Sequence, residues 1–292
     1  MNIFSEMKIC IICLFTVMIN SVAYTQTRSQ ADFDNNWKFK LDSVNNYSDA
    51  SANDNSWRML NLPHDWSIEG TFSKDNPATP GGGALPGGIG WYRKTFTVPV
   101  SQKGKSFFIR FDGVYKNSEV WINGKSLGIR PNGYITFQYE LTPYLKYGNE
   151  RNVIAVKVDN SKQPNSRWYS GSGIFRNVWL ISVNKLHVDQ WGTFISTSNV
   201  SENVSAVNIR TEIKNQYSTD KAIILKTIIY DADGKQIAAS SANATVSKST
   251  SENKNSNQIN QSLSVNNPKL WSLENLYLYK ASSQIISNGK VA

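Results

Sequence analysis

The stretch 167–176, which reads RWYSGSGIFR, carries the residue types best suited to binding chemistry in this chain. Arg167 offers a planar set of donors directly before the aromatic side chains of Trp168 and Tyr169, and the glycines that follow allow a sharp turn. A donor fork beside an aromatic face suits a polar ligand with apolar faces, such as a sugar. A structural role fits equally well, with Trp168 and Tyr169 capping the end of a sandwich and Arg176 paired with a local carboxylate.

Residue types that would cleave bonds are poorly placed. Glycoside hydrolysis needs two carboxyl groups on either side of one bond. The pair Asn149-Glu150 lies in a hydrophilic turn, so it is predicted to be solvated, and no second carboxylate is placed to work with Glu150. A Ser-His-Asp arrangement would have to use His64 with Asp65, and the chain has no nucleophile elbow to support it.

Metal, thiol and phosphate chemistry are also not expected. The chain has two histidines, His64 and His187, and two cysteines, Cys10 and Cys13, both of which lie near the amino terminus. Too few nitrogen and sulfur ligands remain for a transition-metal site. The glycine-rich run 81–90 lacks Gly-Lys-Ser/Thr and leads into a strand, which argues against a phosphate-binding loop. No cofactor is therefore predicted.

Residues 1–23 are typical of a secretory signal peptide. Lys8 precedes an apolar run at 9–19, and small residues follow it up to a plausible cleavage point near Ala23. The run is short for a membrane span, and no later stretch is apolar enough, so no membrane insertion is expected. Export without disulfides favours a bacterial periplasm or cell surface reached through the Sec pathway.

The composition indicates a folded chain with a basic surface. Hydrophobic residues make up 40% of the 292 residues, and the formal net charge is +9. Because the lysines and arginines are scattered rather than clustered, nucleic-acid binding is not predicted.

Short alternating segments with turn residues between them predict an all-β chain. The segments 152–160 and 177–183, on either side of the opening stretch, alternate, and Asn123-Gly124 is a strong hairpin signal. Residues 24–184 are predicted to form a jelly-roll β-sandwich. Residues 185–292 are predicted to form an incomplete, carboxy-terminally truncated immunoglobulin-like β-sandwich, with core residues returning in 268–279.

Several motifs occur in an order that resembles one enzyme family. They are Leu62-Pro63-His64-Asp65-Trp66, Gly90-Trp91-Tyr92-Arg93-Lys94-Thr95-Phe96, Phe111-Asp112-Gly113-Val114, Val120-Trp121-Ile122-Asn123-Gly124, the stretch 167–176, and Asn267-Pro268-Lys269-Leu270-Trp271. This set resembles the sugar-binding domain of glycoside hydrolase family 2 and the immunoglobulin-like domain that follows it, in β-galactosidase-like members of the Bacteroides type. For residues 24–184 the resemblance implies a galactose-binding-like jelly roll. The chain departs from the family pattern at Phe175, where tyrosine is usual, and in 272–275, where the usual prolines are missing.

The resemblance implies a retaining glycosidase whose catalytic glutamates lie in a TIM barrel beyond these two domains. It also implies that loops of the first domain shape the sugar pocket. The residues that match the family motifs in these loops are Asp65, Arg167 and Trp168, together with His64 and Tyr169. No residue of this chain is expected to be catalytic, and the chain alone is expected to be inactive.

Two functions follow from the sequence. The first is the non-catalytic, amino-terminal part of an exported family 2 enzyme, whose partners would be a β-galactoside or a plant or host glycan, and the missing catalytic barrel or an oligomer partner. The second is a stand-alone carbohydrate-binding or surface-interaction protein. A parent β-glucuronidase or β-mannosidase is a third possibility within the enzyme class.

Overall fold

The computed structural model describes residues 27–249 and 257–292, and it confirms the all-β prediction. The predicted signal peptide lies outside the described residues. Within them, the helical elements are three 3-10 turns, at Pro80–Gly82, Val100–Gln102 and Thr142–Tyr144. None of the helical segments in these two ranges has the length and hydropathy needed to cross a bilayer.

The amino-terminal sandwich consists of ten antiparallel strands. They are β1 (Arg28–Asp32), β2 (Trp37–Leu41), β3 (Arg58–Leu60), β4 (Gly88–Phe96), β5 (Ser106–Phe111), β6 (Ser118–Ile122), β7 (Lys125–Arg130), β8 (Phe137–Glu140), β9 (Asn152–Asn160) and β10 (Val178–Val183). One sheet has the order β1-β10-β5-β8 and the other the order β3-β2-β4-β9-β6-β7. The predicted hairpin is confirmed, because Asn123 and Gly124, both at positive φ, connect β6 to β7.

Alternation along the strands builds the core between these two sheets. Phe107, Ile109 and Phe111 of β5 point inward and are buried with the inward residues of the facing sheet. The largest buried side chains include Trp37 and Tyr92. The two sheets therefore share one continuous apolar core.

A second apolar cluster lies on the outer face of the six-stranded sheet. Trp91 and Trp121 stack there with ring centroids 5.5 Å apart, and both are buried. Arg93, on the same face of β4, is also buried. Its guanidinium donates to Asp54 at 2.9 Å and to the carbonyl of Tyr47 at 2.5 Å. These bonds hold the coil segment 42–57 over the sheet.

The carboxy-terminal sandwich has seven strands in two sheets. They are β11 (Leu186–Ser198), β12 (Val204–Asn215), β13 (Lys221–Tyr230), β14 (Gln236–Val246), β15 (Gln258–Asn266), β16 (Lys280–Ser287) and β17 (Lys290–Val291). The sheet orders are β11-β12-β15 and β14-β13-β16-β17.

A layer of polar side chains divides the core of this sandwich into two apolar clusters. Thr227 Oγ1 on β13 donates across the core to Gln261 Oε1 on β15 at 2.6 Å and lies 2.9 Å from Ser283 Oγ. Gln261 Nε2 donates to the Leu225 carbonyl at 3.2 Å. Thr211 of β12 is wholly buried at the same level, between Ile213 of one apolar cluster and Ile209 of the other, and its hydroxyl has no hydrogen-bond partner within the described residues. We refer to these four side chains, of Thr211, Thr227, Gln261 and Ser283, as the polar layer.

The two sandwiches meet at the outer face of the four-stranded sheet. Phe108 packs there against His187, with ring centroids 6.0 Å apart. The Arg28 guanidinium donates to the Val188 carbonyl at 2.7 Å, and Ser106 and Gln216 form a hydrogen bond across the junction. Both apolar and polar contacts therefore fix the junction.

The prediction that residues 268–279 return to the core is wrong for most of its apolar side chains. Five large ones are 40–83% exposed: Leu270, Trp271, Leu273, Leu276 and Leu278. We call these five the exposed leucine segment. A sequence pattern identifies apolar residues but does not distinguish a core from a surface that another body covers.

Candidate functional site

Two long loops meet at one end of the amino-terminal sandwich, opposite the end at which β10 leads into β11. The first connects β3 to β4 and the second, residues 161–177, connects β9 to β10. They are joined by backbone hydrogen bonds from His64 to the Ile174 carbonyl at 2.8 Å and from Trp66 to the Ser172 carbonyl at 3.1 Å. We call this region the loop cluster.

Asp65 ties the two loops together. Its Oδ1 accepts from the backbone of Ser67 and of Ser172, both at 2.9 Å, and its Oδ2 accepts from the Tyr169 hydroxyl. Burial, together with the adjacent Asp65 carboxylate, raises the pKa of Tyr169. The hydroxyl therefore keeps its proton and serves as a donor. Three of the acceptor positions of Asp65 are occupied within the protein.

Gly173 allows the second loop to approach the core this closely. It has φ +127°, and a Cβ at this position would lie 2.4 Å from the Tyr92 hydroxyl and 2.7 Å from the His64 carbonyl oxygen. The backbone of Gly173 also exchanges hydrogen bonds with Tyr115, both at 2.9 Å. Only a glycine has both the conformation and the size for this position.

Arg167 and Trp168 stand on this scaffold and face solvent. Trp168 is 63% exposed, and the Arg167 side chain is also exposed. Within the described ranges, neither side chain forms a hydrogen bond or an ion pair through its own polar atoms. The two residues therefore present an aromatic face and a guanidinium that the fold itself does not use.

His64 lies inward rather than toward solvent. Its Nδ1 is 2.7 Å from the Tyr92 hydroxyl and its Nε2 is 2.9 Å from the Arg58 guanidinium. The Glu69 carboxylate lies 3.3 Å from the same Nε2, so this nitrogen faces both a donor and an acceptor. Burial lowers the pKa of His64, Arg58 contributes in the same direction, and Glu69 opposes them. His64 is thus a buried, neutral support beneath Asp65, and both of its ring nitrogens already face groups of the protein.

The geometry brings together the five site residues that the sequence identified, but in two layers. Asp65, Tyr169 and His64 form the support, whereas Arg167 and Trp168 form the outer surface. Arg176 makes no ion pair within the described ranges, so the pairing with a carboxylate suggested by its residue type is not seen. Tyr169 still exposes 41% of its surface despite its bond to Asp65, so it borders both layers.

Sequence reasoning missed an aromatic group beside the loop cluster. Tyr115 and Tyr134 lie with ring centroids 5.2 Å apart, and Tyr134 lies 6.4 Å from Phe175. The Tyr115 hydroxyl donates to Asn165 at 3.0 Å, which anchors the second loop. The Asp112-Gly113 turn could have indicated this group from the sequence, because the residues after the turn lie at this end of the sandwich.

Two carboxyl groups of the loop cluster, those of Asp65 and Glu69, are engaged within the protein. Asp65 accepts three donors, and Glu69 accepts from Arg58 through both carboxylate oxygens, at 3.0 and 2.8 Å. No group of three His, Cys, Asp or Glu side chains that could hold a metal ion is present in residues 27–249 and 257–292. The arrangement can position a polar ligand, and Asp65 and Glu69 are both held by donors of the protein rather than left as a free pair for acid and base work.

Comparisons with known proteins agree with this picture. The family model described as "Glycosyl hydrolases family 2, sugar binding domain" matches residues 23–184, and the model "Glycosyl hydrolases family 2" matches residues 186–292. The β-galactosidase BoGH2A of Bacteroides ovatus is 47% identical over 271 residues, which are 92% of this chain and 31% of that protein. A β-glucuronidase of Formosa agariphila is 32% identical, with 92% of this chain and 29% of that protein covered.

A solved structure of a family 2 member from Bacteroides cellulosilyticus has a TM-score of 0.83 and 33% identity, and the match covers 90% of this chain and 34% of that one. The chain thus spans about a third of the length of the relatives that it matches. What it matches is their amino-terminal, non-catalytic region. The two family models together cover nearly the whole sequence, and the chain belongs to glycoside hydrolase family 2.

Proposed function

We propose that this chain is the non-catalytic part of an exported, β-galactosidase-like family 2 enzyme, and that its loop cluster forms one wall of the sugar pocket. The observation that carries the proposal is the pair Arg167 and Trp168. Both are solvent-facing on a loop that Asp65 and Gly173 hold firmly. An indole packs against the apolar face of a pyranose, while a guanidinium donates to its hydroxyl groups.

A β-galactoside is the proposed substrate class because BoGH2A, a β-galactosidase, has the higher identity of the two relatives described above. Two relatives from Formosa agariphila, a putative β-glucuronidase at 42% identity and a β-glucuronidase at 32%, make a glucuronide the second choice of substrate. The two sugars differ in the C6 group, which is a hydroxymethyl group or a carboxylate, and in the configuration at C4, so an assay with both nitrophenyl glycosides separates them.

A chimera tests the role of the loop cluster. Residues 24–292 would replace the aligned region of BoGH2A, and turnover of nitrophenyl β-galactoside would be measured. Trp168→Ala and Arg167→Ala are each expected to raise KM by roughly tenfold, which corresponds to about 1.4 kcal/mol of binding free energy. Matched controls are Trp191→Ala, an exposed tryptophan of the other sandwich, and Arg151→Ala, an exposed arginine at the opposite end of the same sandwich. Equal effects from the controls would contradict the proposal.

The exposed leucine segment supports a second element of the proposal, contact with the rest of such an enzyme. Five large apolar side chains crowded into nine residues are costly to leave in water, and about two thirds of each relative lies outside the matched region. The double variant Leu273→Ser/Leu276→Ser is expected to lower the melting temperature of the chimera but not that of the 292-residue chain. A similar decrease in both proteins would show that the segment is covered within this chain.

Export is proposed from the pattern of residues 1–23. Sequencing the amino terminus of protein recovered from the periplasm or cell surface is expected to give a start near residue 24. Recovery of the intact amino terminus in the cytoplasm would contradict export.

A stand-alone carbohydrate-binding protein is the second candidate, and the exposed Trp168 is the observation in its favour. Calorimetric titration of the 292-residue chain with lactose decides between the two. Binding at millimolar concentration that Trp168→Ala abolishes would favour this candidate, whereas absence of binding in the chain together with activity of the chimera would favour the pocket wall.

A further inference from the structure

A shallow cleft lies on the outer face of the three-stranded sheet of the carboxy-terminal sandwich. Ile209 and Gln261 are buried in the core, so the residues on either side of them in each strand point outward. The cleft has a volume of about 380 Å³, within the range of ligand clefts, roughly 300–1,000 Å³. The outward side chains that line it come from all three strands: Phe194 and Ser196 of β11, Asn208 and Arg210 of β12, and Asn260 and Ser262 of β15. We call this the outer-face cleft.

A tall wall beside a row of short side chains gives this face its concave shape. Phe194 and Arg210 pair across β11 and β12, and the guanidinium carbon lies 5.1 Å from the centroid of the aromatic ring. In the next row of the sheet, Ser196, Asn208 and Ser262 lie side by side. Phe194 is 55% exposed, so its ring offers an apolar face next to this polar floor.

The polar groups of the outer-face cleft are mostly not used by the fold. Within the described part of the chain, the side chains of Ser196, Asn260 and Ser262 form no hydrogen bond. The Asn208 amide donates to the Ser198 hydroxyl at 3.1 Å. Amide and hydroxyl groups both donate and accept, as the hydroxyl groups of a sugar do. Together with the aromatic face, they form the combination that suits a sugar ring.

The charges around the cleft favour a neutral ligand. Arg210 is the one charged residue that lines it, and its Nε lies 3.9 Å from Glu212 Oε1 on the same strand. Glu212 also accepts from the Gln258 amide at 2.9 Å. Strand β15 contains no charged residue. A neutral, hydroxyl-rich ligand therefore matches the cleft better than an acidic one.

The shape of the cleft favours a polymer. β11 and β15 are the two edges of this sheet, so among the described residues no further strand closes the cleft at either end. It extends over three strands, about 10 Å. A protein partner fits less well, because interfaces have an apolar core in which serine is depleted. Phe194 is the one exposed large apolar side chain that lines the cleft.

We propose that the outer-face cleft binds a neutral polysaccharide, with one sugar ring against Phe194 and the sugar hydroxyl groups bonded to Arg210 and Asn260. The site lies in a different sandwich from the loop cluster. The inference goes beyond the proposed pocket wall and does not depend on it.

Affinity electrophoresis of the 292-residue chain tests this inference. The gels contain linear galactan, glucomannan or arabinan, which are neutral, or polygalacturonate, which is acidic. Every protein carries Arg167→Ala and Trp168→Ala, so that the loop cluster does not contribute. We expect at least one neutral polymer to retard the chain, and Phe194→Ala to weaken this binding roughly fivefold because the apolar ring face is lost.

A blocking variant and its neighbour provide the matched pair. Ser262→Tyr fills the floor of the cleft, whereas Ser264→Tyr places the same side chain on the same exposed face of β15, one row away. Tyrosine is favourable on a strand face, so both variants are expected to keep the melting temperature of the parent chain. Ser262→Tyr is expected to abolish the retardation, and Ser264→Tyr to leave it unchanged.

Four results would overturn the proposal. The first is no retardation by any of the three neutral polymers, and the second is an equal effect of the two tyrosine variants. The third is retardation by polygalacturonate alone that Ser262→Tyr removes, because the ligand would then be acidic. The fourth is a dimer in sedimentation that Ser262→Tyr dissociates, because a second copy of the chain would then occupy the cleft.

Discussion

Replacing His187 is expected to remove a defined part of the acid sensitivity of this protein. The ring is buried at the junction between the sandwiches, where its Nδ1 donates to the Asn184 carbonyl at 2.7 Å. Burial lowers the pKa of His187 to about 4; Arg28 and Lys214 oppose its protonation, and Asp189 favours it. The neutral ring is therefore the form that the junction accommodates.

The size and sign of the effect follow from proton linkage. In the unfolded chain the histidine binds a proton near its ordinary pKa of 6.5, whereas in the folded chain it does so only near pH 4. The unfolded state thus binds more protons between these values, and stability falls as the pH falls through this window. Above pH 6.5 the ring is mainly neutral in both states, so the stability of the folded chain is not reduced by this titration. The loss is roughly 2 kcal/mol between pH 7 and pH 5 and roughly 3 kcal/mol at pH 4.

Urea unfolding followed by tryptophan fluorescence at pH 7, 6, 5 and 4 measures this contribution. His187→Asn keeps a donor near the Asn184 carbonyl but does not titrate. Between pH 7 and pH 5 the unfolding free energy of the wild type should therefore fall by roughly 2 kcal/mol more than that of the variant. The other histidine provides the control, because His64→Asn leaves the His187 contribution in place. If the curves of the wild type and His187→Asn run parallel over this range, the burial argument fails.

Three further variants test other parts of the fold. Arg93→Met is expected to lower the free energy of unfolding by about 3 kcal/mol in urea, because it leaves buried acceptors without a donor; a loss below about 1 kcal/mol would refute this. Gly173→Ala is expected to cost at least about 2 kcal/mol in a thermal melt, since its Cβ would overlap the Tyr92 hydroxyl, and a neutral result would contradict the packing. Thr227→Val is expected to cost about 1–3 kcal/mol, and addition of Gln261→Leu should recover part of it; a further additive loss would argue against a paired polar layer.

The sequence predicts the all-β architecture and the hairpin at Asn123-Gly124 because both depend on neighbours along the chain. Alternation and turn residues are local properties, so they can be recognised in the sequence without knowledge of the tertiary structure. The buried Arg93 could not be predicted in this way. It lies on the outer face of β4, where a charged residue usually meets water, and only the distant coil segment 42–57 buries it.

The loop cluster was predictable in part. The residue types in 167–169 indicate a ligand-facing loop, and they are indeed exposed or partly exposed. The inward orientation of His64 was not predictable, because it depends on Tyr92, which lies 28 residues away in sequence. The exposed leucine segment shows the opposite error, since its composition resembles that of a core strand.

The polar layer of the carboxy-terminal sandwich limits how its two sheets can align. The strands that face each other are rich in branched aliphatic residues, so a shift by two positions would still place apolar side chains inward. Such a shift would, however, set Thr227 against an aliphatic neighbour and leave the Gln261 amide without its acceptor and donor. One alignment is therefore favoured over closely similar ones, and insertions of two residues in β13 or β15 should be tolerated far less well than apolar exchanges within them.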